Sequence, residues 1–556
     1  MKYLILLIAA VPAFAQLTQD QKVFDFSSLG AIYSKRYAPL DWKQTLFGVN
    51  VLDIAPWLDR ARGTATDLDF YELMVEYVSN LQDGHDAYLV PSNFIALLGF
   101  AADVYDDKVL IEDIARPALP VAQYPFEIGD ELVSVDGTSV EKLLQSFAKY
   151  ARYGNDRSTR RAAANRIVIR QQSRIPHAAE LGNSAVVEIR RASGTLETYT
   201  IPWIKLGLPL KQIDPAPTPQ VKRTAMADET EPRDAMLFEL QHSADPNPTG
   251  LLGYGGLQPV FTLPQNFARR LGSGSDNFVS GTYTSGDNRI GYIRIPHYDP
   301  MDTAAALAQF AGEIAYMQAN TDGLVVDETR NTGGQICYGE SILTYLIPSS
   351  FTPIGYEVRA TREYLQSFAL RLDNAKLSGN QNLIAQYQTL YDAVAEAFAA
   401  NRGRSKPVPL CGPVFDRPEA KDKGGKPLAY TKPLIMLIDE FSVSTADSVP
   451  AMFQDAGRGP LVGWRTNGMG GSNAFNTNRW QVGAYSEGDT GMTIALMSRP
   501  KTVTVPGYPA TNYIENVGVQ PDIAVDYMTR ANLMNGGRDF VDAFTAAINA
   551  QIQKAQ

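Results

Sequence analysis

From about residue 288 onward, the chain alternates apolar strand-like runs with longer helix-like stretches. The runs "RIGYIRI" (289–295) and "GLVVDETRNTGG" (323–334) enclose the helical pattern "MDTAAALAQFAGEIAYMQA". A third apolar run, "PLIMLIDE" (433–440), precedes another helical pattern. Strands that alternate with helices are joined by crossover connections, which predicts a largely parallel or mixed sheet. Functional sites in such sheets gather at the carboxyl ends of the strands.

The rest of the chain divides by pattern into segments around this α/β region. Apolar residues at helical spacing, such as Phe70, Leu73 and Tyr77, predict an N-terminal helical domain, and short strands with turn signals follow it. A stretch rich in Pro, Gly and charge then predicts a linker and loop-rich insertion with up to two strands. The predicted organisation is a helical domain at 16–90, a β-rich domain at 91–205, a linker at 206–285, an α/β domain at 286–530 with a helical insertion at about 360–402, and a C-terminal helix at 531–556.

The chain begins with a pattern typical of a secretory signal. "MKYLILLIAAVPAFAQ" has one lysine, a short apolar run and the motif Ala13-Phe14-Ala15. The alternative is a buried N-terminal helix. The run is short for a membrane span, and no later segment has about 18 uninterrupted apolar residues. We therefore expect residues 1–15 to be removed, and an exported mature chain from about Gln16, periplasmic or extracellular, with no integral membrane segment.

Charge and composition argue against several classes of partner. The formal net charge of −10 and the pI of about 5.1 do not suit nucleic acid, whose phosphates require clustered Lys and Arg. Two cysteines and four histidines do not favour a dedicated zinc site, and we expect no metal or organic cofactor. In an exported protein, Cys337 and Cys411 are compatible with one disulfide or with two buried free thiols.

Three hydroxyl side chains crowd the end of one predicted strand, in "DEFSVSTAD" (439–447). A serine is a poor nucleophile unless a base removes its proton and donors hold the oxyanion. The glycine pair Gly333-Gly334 ends another strand, and glycines let the backbone turn sharply and present bare N–H groups. Taken alone, the pair is equally compatible with an ordinary turn, and the hydroxyls with helix caps.

The β-rich segment resembles a PDZ domain. The resemblance rests on Leu97-Leu98-Gly99-Phe100, which is similar to the family's carboxylate-binding loop, and on Gly129-Asp130 and Val135-Asp136-Gly137. It implies that Leu98, Gly99 and Phe100 bind the C-terminal tail of a peptide that adds a strand to the domain. The alternative is a small β-domain that only packs.

Most of residues 70–530 is similar to the C-terminal-processing (tail-specific) serine peptidases. The resemblance rests on four motifs in order: "GYIRI", "VVDETRNTGG", "LIDEFSVSTADSVPAMFQDAGRGPLVGWRTNGMGG" and "ENVGVQPDI". It implies that Ser444 is the nucleophile, and that the backbone N–H groups of Thr445 and of Gly333 or Gly334 form the oxyanion hole. Ser442 and Ser448 are then flanking residues suited to capping, while Asp455 and Arg458 match positions that look structural.

The chain departs from this family at the base. Classical members use a lysine in a "GKG" context, and the matching place here reads "TNGMGG", with Met469. A thioether cannot accept and pass on a proton. The nearest lysine beyond it, Lys501, belongs to a different predicted strand. The resemblance therefore does not supply a Ser-Lys pair.

The tricorn-core branch of the family also lacks the lysine, and this chain is closer to it. That resemblance implies His85, in "LQDGHDAY", as the base and Glu515, in "YIENVGVQPDI", as the residue that orients it. The branch has a serine where this chain has Gly84, which puts an accessory residue in doubt. His297 lies at a strand end as the reserve base, and we expect His177 and His242 to be exposed.

The fold expected is mixed α/β with a crotonase-like peptidase core, an N-terminal helical segment and a PDZ-like domain. The function implied is that of an exported serine endopeptidase acting on protein or peptide substrates, with the PDZ-like domain engaging substrate tails. The alternative is a non-catalytic protein that binds peptides or an apolar ligand, because the same fold is similar to the repeats of a retinoid-binding protein.

Overall fold

The computed structural model describes residues 16–210, 252–472, 480–486 and 488–556. The predicted signal segment and His242 lie outside the described residues. Four helices form the described N-terminal part, and threonine caps begin two of them: the Thr18 and Thr66 side chains accept from the backbone N–H groups of Gln21 and Asp69. The helices are Gln19–Arg36, Leu40–Phe47, Ala55–Gly63 and Asp67–Ser79.

The PDZ-like part is a six-stranded antiparallel sheet that packs against two helices. The strand after the predicted carboxylate loop lies at one edge of this sheet. The strands are Phe100–Tyr105, Lys108–Ile114, Glu131–Val135, Thr138–Ser139, Ser184–Arg190 and Leu196–Pro202, and the helices are Val140–Phe147 and Asp156–Val168. A small sheet beside it joins Ile95–Leu97 to Ile169–Gln171 and Ile204–Leu206. The helix Asp156–Val168 is called the PDZ helix below.

A seven-stranded mixed sheet forms the centre of the α/β part. Its first three strands are antiparallel, and the remaining four continue in parallel. In spatial order the strands are Ala268–Leu271, Val279–Ser285, Asn288–Arg294, Gly323–Asp327, Leu434–Ile438, Leu461–Gly463 and Ile523–Ala524. Two of them belong to the predicted linker, so the sheet begins upstream of the predicted boundary at 286. Their charged and polar residues obscured the strand pattern.

Helices cover both faces of this sheet. Successive residues of the strand Leu434–Ile438 belong alternately to two apolar cores, with Met436 on one face and Ile435 on the other. Such a strand is buried on both sides, which explains its uninterrupted apolar run. The covering helices are Thr303–Asn320, Ile336–Leu346 and Thr445–Asp455 on one face and Arg538–Ala555 on the other. A short helix, Arg530–Asn535, precedes the last helix, and two glycines separate the two.

Two further small sheets and a helical pair complete the described part of the chain. One sheet contains Gly355–Val358, Ala495–Val503, Gly471–Ser472 and Thr511–Tyr513. The other pairs Tyr88–Leu89 with Asp489–Thr490, which also pairs with Trp480–Gln481, and so joins the N-terminal part to the α/β part. The predicted helical insertion is the pair Arg362–Ser378 and Gln381–Ala399. In the described part of the chain, no helix combines the length and the apolar character that crossing a membrane requires.

Candidate active site

Ser444 lies at the junction between a central strand and a helix. The strand Leu434–Ile438 ends at the carboxyl edge of the sheet, and the helix Thr445–Asp455 begins directly after Ser444. Ser444 has φ 58° and ψ −111°, a backbone conformation that residues other than glycine rarely adopt. Strained residues of this kind cluster at functional sites, where the surrounding structure holds them. Residues 439–444 are called the nucleophile loop below.

A buried carboxylate holds the backbone of Ser444 in place. Asp447 accepts hydrogen bonds from the N–H groups of Ser444 (2.8 Å), Gly468 (2.8 Å) and Met469 (3.1 Å). Burial raises the pKa of Asp447 to about 6, against the opposing effect of these bonds and of one from Thr466. Asp447 therefore ties the start of the nucleophile helix to the segment that carries Met469. The S-x-x-D spacing is a capping pattern that sequence reasoning could have used.

His85 reaches the serine hydroxyl from the N-terminal part of the chain. Its Nε2 lies 3.0 Å from Ser444 Oγ, within hydrogen-bond distance. The turn that carries His85 is held by the Asp83 carboxylate, which accepts from the His85 backbone N–H (3.0 Å). Burial lowers the pKa of the His85 imidazole, the charge of Lys43 adds to the effect, and the charge of Asp83 opposes it. The imidazole is therefore neutral at neutral pH and able to accept a proton.

Glu515 is buried next to this turn but is bonded to a lysine. Its Oε1 accepts from Lys43 Nζ, which also donates to Asn516 Oδ1 (2.7 Å) and to the Gln82 carbonyl (3.1 Å). Within the described chain, Glu515 Oε2 and His85 Nδ1 are both buried and have no hydrogen-bond partner. The Asp83 carboxylate lies 4.0 Å from Nδ1. The structure thus brings Glu515 to the histidine turn without the direct hydrogen bond expected of an orienting residue.

The ionisation of Glu515 depends on its buried surroundings. Burial raises its pKa to about 8, the negative charge of Asp83 adds to the rise, and Lys43 opposes it. Lys43 and Glu515 are both inaccessible to solvent. This pair therefore joins the helix Leu40–Phe47 to the segment between the strands Thr511–Tyr513 and Ile523–Ala524, and Lys43 also contacts the histidine turn through the Gln82 carbonyl.

The glycine pair predicted to form the oxyanion hole lies against the nucleophile. Gly333 has φ 76°, and a Cβ atom there would lie 2.9 Å from Ser444 Cβ and 2.5 Å from the Val443 carbonyl oxygen, so only glycine fits. Its N–H donates to Asn331 Oδ1 (2.8 Å). The Gly334 carbonyl accepts from Thr445 Oγ1 (2.6 Å). Among the described residues, no partner takes the backbone N–H of Gly334 or of Thr445, which leaves two donors beside Ser444.

Neither Met469, which stands at the position of the family's lysine, nor Lys501 supplies another base. Met469 packs its side chain on Gly84, where a Cβ atom would lie 2.5 Å from Met469 Cγ. Lys501 donates to the Asp455 carbonyl (2.6 Å), at the opposite end of the nucleophile helix from Ser444. An eleven-residue helix is about 16 Å long, so Lys501 is remote from the hydroxyl.

The remaining serines and the helix end have structural contacts. Ser442 Oγ donates to the Glu328 carbonyl (2.7 Å), which anchors the nucleophile loop to the neighbouring strand end instead of capping the helix. Ser448 Oγ donates to the Thr445 carbonyl (2.9 Å). Asp455 pairs with Arg499 (2.7 Å), and Arg458 donates to the Leu346 carbonyl (2.6 Å).

The other predicted residues have the following contacts of their own. His297 Nδ1 accepts from the Asp299 N–H (3.1 Å) in the loop after a sheet strand. His177 is half-buried rather than exposed, because it lies 2.9 Å from Glu180 and 3.3 Å from Asp69. In the PDZ-like loop, Leu98 and Phe100 are buried. The Leu98 N–H donates to the Val168 carbonyl (3.1 Å), so this donor of the predicted carboxylate loop already has a partner within the domain.

Cys337 and Cys411 form a disulfide. Cys337 lies in the first turn of the helix Ile336–Leu346, directly after the glycine pair, and Cys411 lies in the segment that follows the helical insertion. The structure thus favours the first of the two alternatives that the sequence left open. The bond ties the base of the insertion to the helix that starts at the candidate oxyanion hole.

Sequence reasoning missed Lys43, Asp83 and Asp447. The "DGH" spacing placed Asp83 beside the candidate base, but nothing in the sequence indicated that its carboxylate folds back onto the His85 N–H. Lys43 lies in the helix Leu40–Phe47, whose alternation of apolar and polar residues gives no sign of a fully buried ammonium group. Its partner is 472 positions away, so no local pattern could have found it.

Family comparisons match two segments of the chain. Residues 289–525 match the family model of peptidase family S41, and residues 95–209 match that of a PDZ domain. The first segment includes the glycine pair, Ser444, Met469 and Glu515, whereas His85 precedes both. The assignment of His85 therefore depends on geometry and not on the matched segments.

Similar proteins extend along nearly the whole chain. A Chlamydia pneumoniae protein is 24% identical, with 97% of this chain and 92% of the relative covered. A Chlamydia trachomatis protein is 23% identical over 93% of this chain and 90% of its own length. A solved structure of mature CPAF complexed with lactacystin is 19% identical, covers 96% of this chain and 99% of its own, and superposes with a TM-score of 0.76. A second structure of mature CPAF gives 0.75. These structures share the fold.

Proposed function

Because the chain is a serine peptidase whose residues 289–525 form a domain of peptidase family S41, we propose that it cleaves internal peptide bonds with Ser444 as nucleophile and His85 as general base. The observation that carries the proposal is the 3.0 Å contact between His85 Nε2 and Ser444 Oγ. A lowered histidine pKa supports it, since the base must be unprotonated to work. The alternative of a non-catalytic binder has no comparable observation in its favour.

The proposed reaction uses each group in turn. Ser444 Oγ attacks the peptide carbonyl while His85 Nε2 takes its proton. The oxyanion that forms accepts hydrogen bonds from the N–H groups of Thr445 and Gly334, which have no other partner among the described residues. His85 then gives the proton to the leaving amine. A water molecule repeats the sequence on the acyl-enzyme and releases the second product.

We assign Glu515 the role of positioning residue for His85. The triad arrangement would have its carboxylate accept from Nδ1, and both atoms lack partners among the described residues. Lys43 contacts Glu515 and the Gln82 carbonyl at once, so it links the carboxylate to the turn that carries the base. The Glu515→Gln variant is expected to lower kcat/KM by about 10²-fold, the scale of a small misplacement of a catalytic group.

The substrates that we propose are proteins and peptides, without recognition of their C-terminal tails. In the PDZ-like loop, the Leu98 N–H is bonded to the Val168 carbonyl and does not await a carboxylate. The binding of substrate tails by Leu98, Gly99 and Phe100 therefore stays a prediction that these contacts do not support.

We further propose that the protein works in an oxidising compartment. The disulfide between Cys337 and Cys411 supports this, because such bonds persist in exported proteins and are rare in the cytosol. Mass spectrometry of the protein isolated from cells, with free thiols alkylated before lysis, tests this. Reduced Cys337 and Cys411 in the native protein would contradict export.

The test of function is hydrolysis of an unfolded protein such as reduced, alkylated casein. The purified protein is expected to generate new internal N-termini, identified by mass spectrometry, and Ser444→Ala is expected to lower the rate by about 10⁴-fold or more. Ser448→Ala is the matched control, because this neighbouring hydroxyl only bonds to the Thr445 carbonyl. Activity that survives in Ser444→Ala would disprove the assignment, and a folded protein that cuts nothing would disprove the function.

A further inference from the structure

The edge strand of the PDZ-like sheet, Phe100–Tyr105, is covered by other parts of the described chain. PDZ domains bind peptides by adding a strand to an exposed sheet edge, so the state of this edge decides whether a tail can bind. All six residues of the strand are buried. The Val104 N–H donates to the side chain of Asp103 (2.6 Å), and the N–H of Asp106, just beyond the strand, donates to the Met528 carbonyl (3.1 Å). The chain therefore satisfies these donors itself.

The nucleophile loop lies where the PDZ helix faces this strand. Arg161 of the PDZ helix pairs with Asp103 of the edge strand (2.6 Å) and with Glu440 of the nucleophile loop (3.0 Å). Arg157, one turn earlier, also pairs with Glu440 through its Nε (2.5 Å). Its two terminal guanidinium nitrogens donate to Asp526. Two arginines of the PDZ helix thus hold a carboxylate that belongs to the peptidase part of the same chain.

An apolar side chain of the same loop enters the PDZ core. Phe441 is fully buried and packs with the apolar residues of the PDZ-like domain. The Arg161 guanidinium lies 4.6 Å from the centre of its ring, and Tyr153 contacts its edge. The Glu440 carbonyl accepts from Ser158 Oγ of the PDZ helix (2.7 Å). The loop therefore presents a carboxylate, an aromatic ring and a carbonyl to one face of the domain.

We propose that the ligand groove of the PDZ-like domain is occupied in cis by residues 439–441 and serves to position the nucleophile loop. The Phe441 ring packs in the apolar core of the domain, and Arg157 and Arg161 of the PDZ helix hold the Glu440 carboxylate. Because Ser444 lies three residues after Phe441, the domain holds the nucleophile and does not read the terminal carboxylate of the substrate. Cleavage is then independent of a free C-terminus.

The first test, which rests on the proposed peptidase activity, compares one fluorogenic peptide in two forms, with a C-terminal carboxylate and with a C-terminal amide. The inference predicts kcat/KM values within about twofold of each other. A loss of tenfold or more for the amide would overturn it. If the folded protein cleaves neither form, the proposed function fails, and amide hydrogen exchange then tests the inference by itself. The Val104 and Asp106 amides are expected to be strongly protected without any peptide. Rapid exchange of these amides would overturn the inference.

The second test separates positioning from binding. Arg157 is chosen because it is partly exposed, unlike Arg161, so Arg157→Met is expected to fold. The variant is expected to lower kcat by at least about fivefold with KM within about twofold, because Glu440 loses one of its two partners. The control is Arg160→Met: Arg160 lies on the same helix as Arg157, and its guanidinium pairs with Glu141 of the helix Val140–Phe147 at the surface (2.9 Å). Unchanged kcat in Arg157→Met, or a higher KM for the carboxylate peptide alone, would contradict the proposal.

Discussion

Gly84 and Met469 are in contact, next to the residue whose imidazole is hydrogen-bonded to Ser444. A Cβ atom on Gly84 would lie 2.5 Å from Met469 Cγ and 2.6 Å from its sulfur, distances that no real contact tolerates. The sequence resemblance predicts that both residues are departures, Gly84 from a serine of the tricorn-core branch and Met469 from the lysine of the classical members. The contact links the two departures: the side chain that replaces the lysine fills the space that a side chain at 84 would need.

This contact predicts that Gly84→Ser moves the base. The new side chain would displace the turn that carries His85, and kcat/KM is expected to fall at least about tenfold. The double variant Gly84→Ser, Met469→Ala provides space and is expected to recover most of the loss. Gly63→Ser is the control, because a Cβ atom there meets nothing within 4 Å. A double variant no better than the single one would show that the contact does not govern the turn.

The pH dependence of kcat/KM follows from the environment of His85. Protonated imidazole cannot accept the serine proton, so activity falls as pH drops through the histidine pKa. Burial lowers this pKa from its ordinary value near 6.5, so the acid limb is expected below pH 6.5. Asp83→Asn removes a negative charge that raises the pKa of His85, so the acid limb of the kcat/KM profile should move to still lower pH. An acid limb above pH 6.5 would be incompatible with His85 as the base.

The buried pair of Lys43 and Glu515 predicts a large loss of stability when one partner is removed. Lys43→Met leaves the Glu515 carboxyl buried and without its lysine partner, and the free energy of unfolding is expected to fall by about 1–3 kcal/mol, because the raised pKa of Glu515 lets the carboxyl take up a proton instead of staying charged. Adding Glu515→Leu should restore part of the loss. Lys108→Met breaks an exposed pair with Glu131 and is expected to cost less than about 1 kcal/mol. Denaturant unfolding measures all three, and equal losses for Lys43 and Lys108 would argue against the buried pair.

The disulfide is expected to stabilise the α/β part. It joins residues 74 positions apart, and closing a loop of that length in the unfolded chain corresponds to about 4 kcal/mol in the chain-entropy account. The double variant Cys337→Ser, Cys411→Ser should therefore unfold at lower denaturant than the oxidised protein. Reduced wild-type protein should behave like the variant. A reducing agent that leaves the unfolding midpoint unchanged would contradict the expectation.

Local sequence pattern predicted helices and strands, and the family resemblance implied that Ser444 and His85 act together, but neither indicated how the site is supported. The alternation of strands and helices could be recognised because a strand buried on both faces, such as Leu434–Ile438, is an uninterrupted apolar run. The strands at 268–271 and 279–285 lie in the linker, where up to two strands were predicted, but charged and polar residues break their pattern, so the sequence did not indicate that they extend the central sheet. Lys43 and Glu440 each act through partners hundreds of residues away, and such pairings depend on tertiary structure alone.

The occupied PDZ groove is another feature that the sequence alone could not predict. Leu97-Leu98-Gly99-Phe100 is similar to a carboxylate loop in sequence, and it does precede an edge strand. What fills the space beside that strand is set by the docking of Phe441 from another domain, which no motif reports. A motif thus indicated the type of domain, whereas the contacts made by its edge indicate what that domain can bind.

The most direct test of the account is the rate at which a fluorophosphonate labels the folded protein, with the adduct mapped by mass spectrometry. Such a probe reacts with an activated serine and needs no knowledge of the substrate. We predict one adduct, on Ser444, and a labelling rate at least about 100-fold lower in His85→Ala. An adduct on another residue, or labelling of Ser444 at an unchanged rate in His85→Ala, would contradict the claim that His85 activates Ser444.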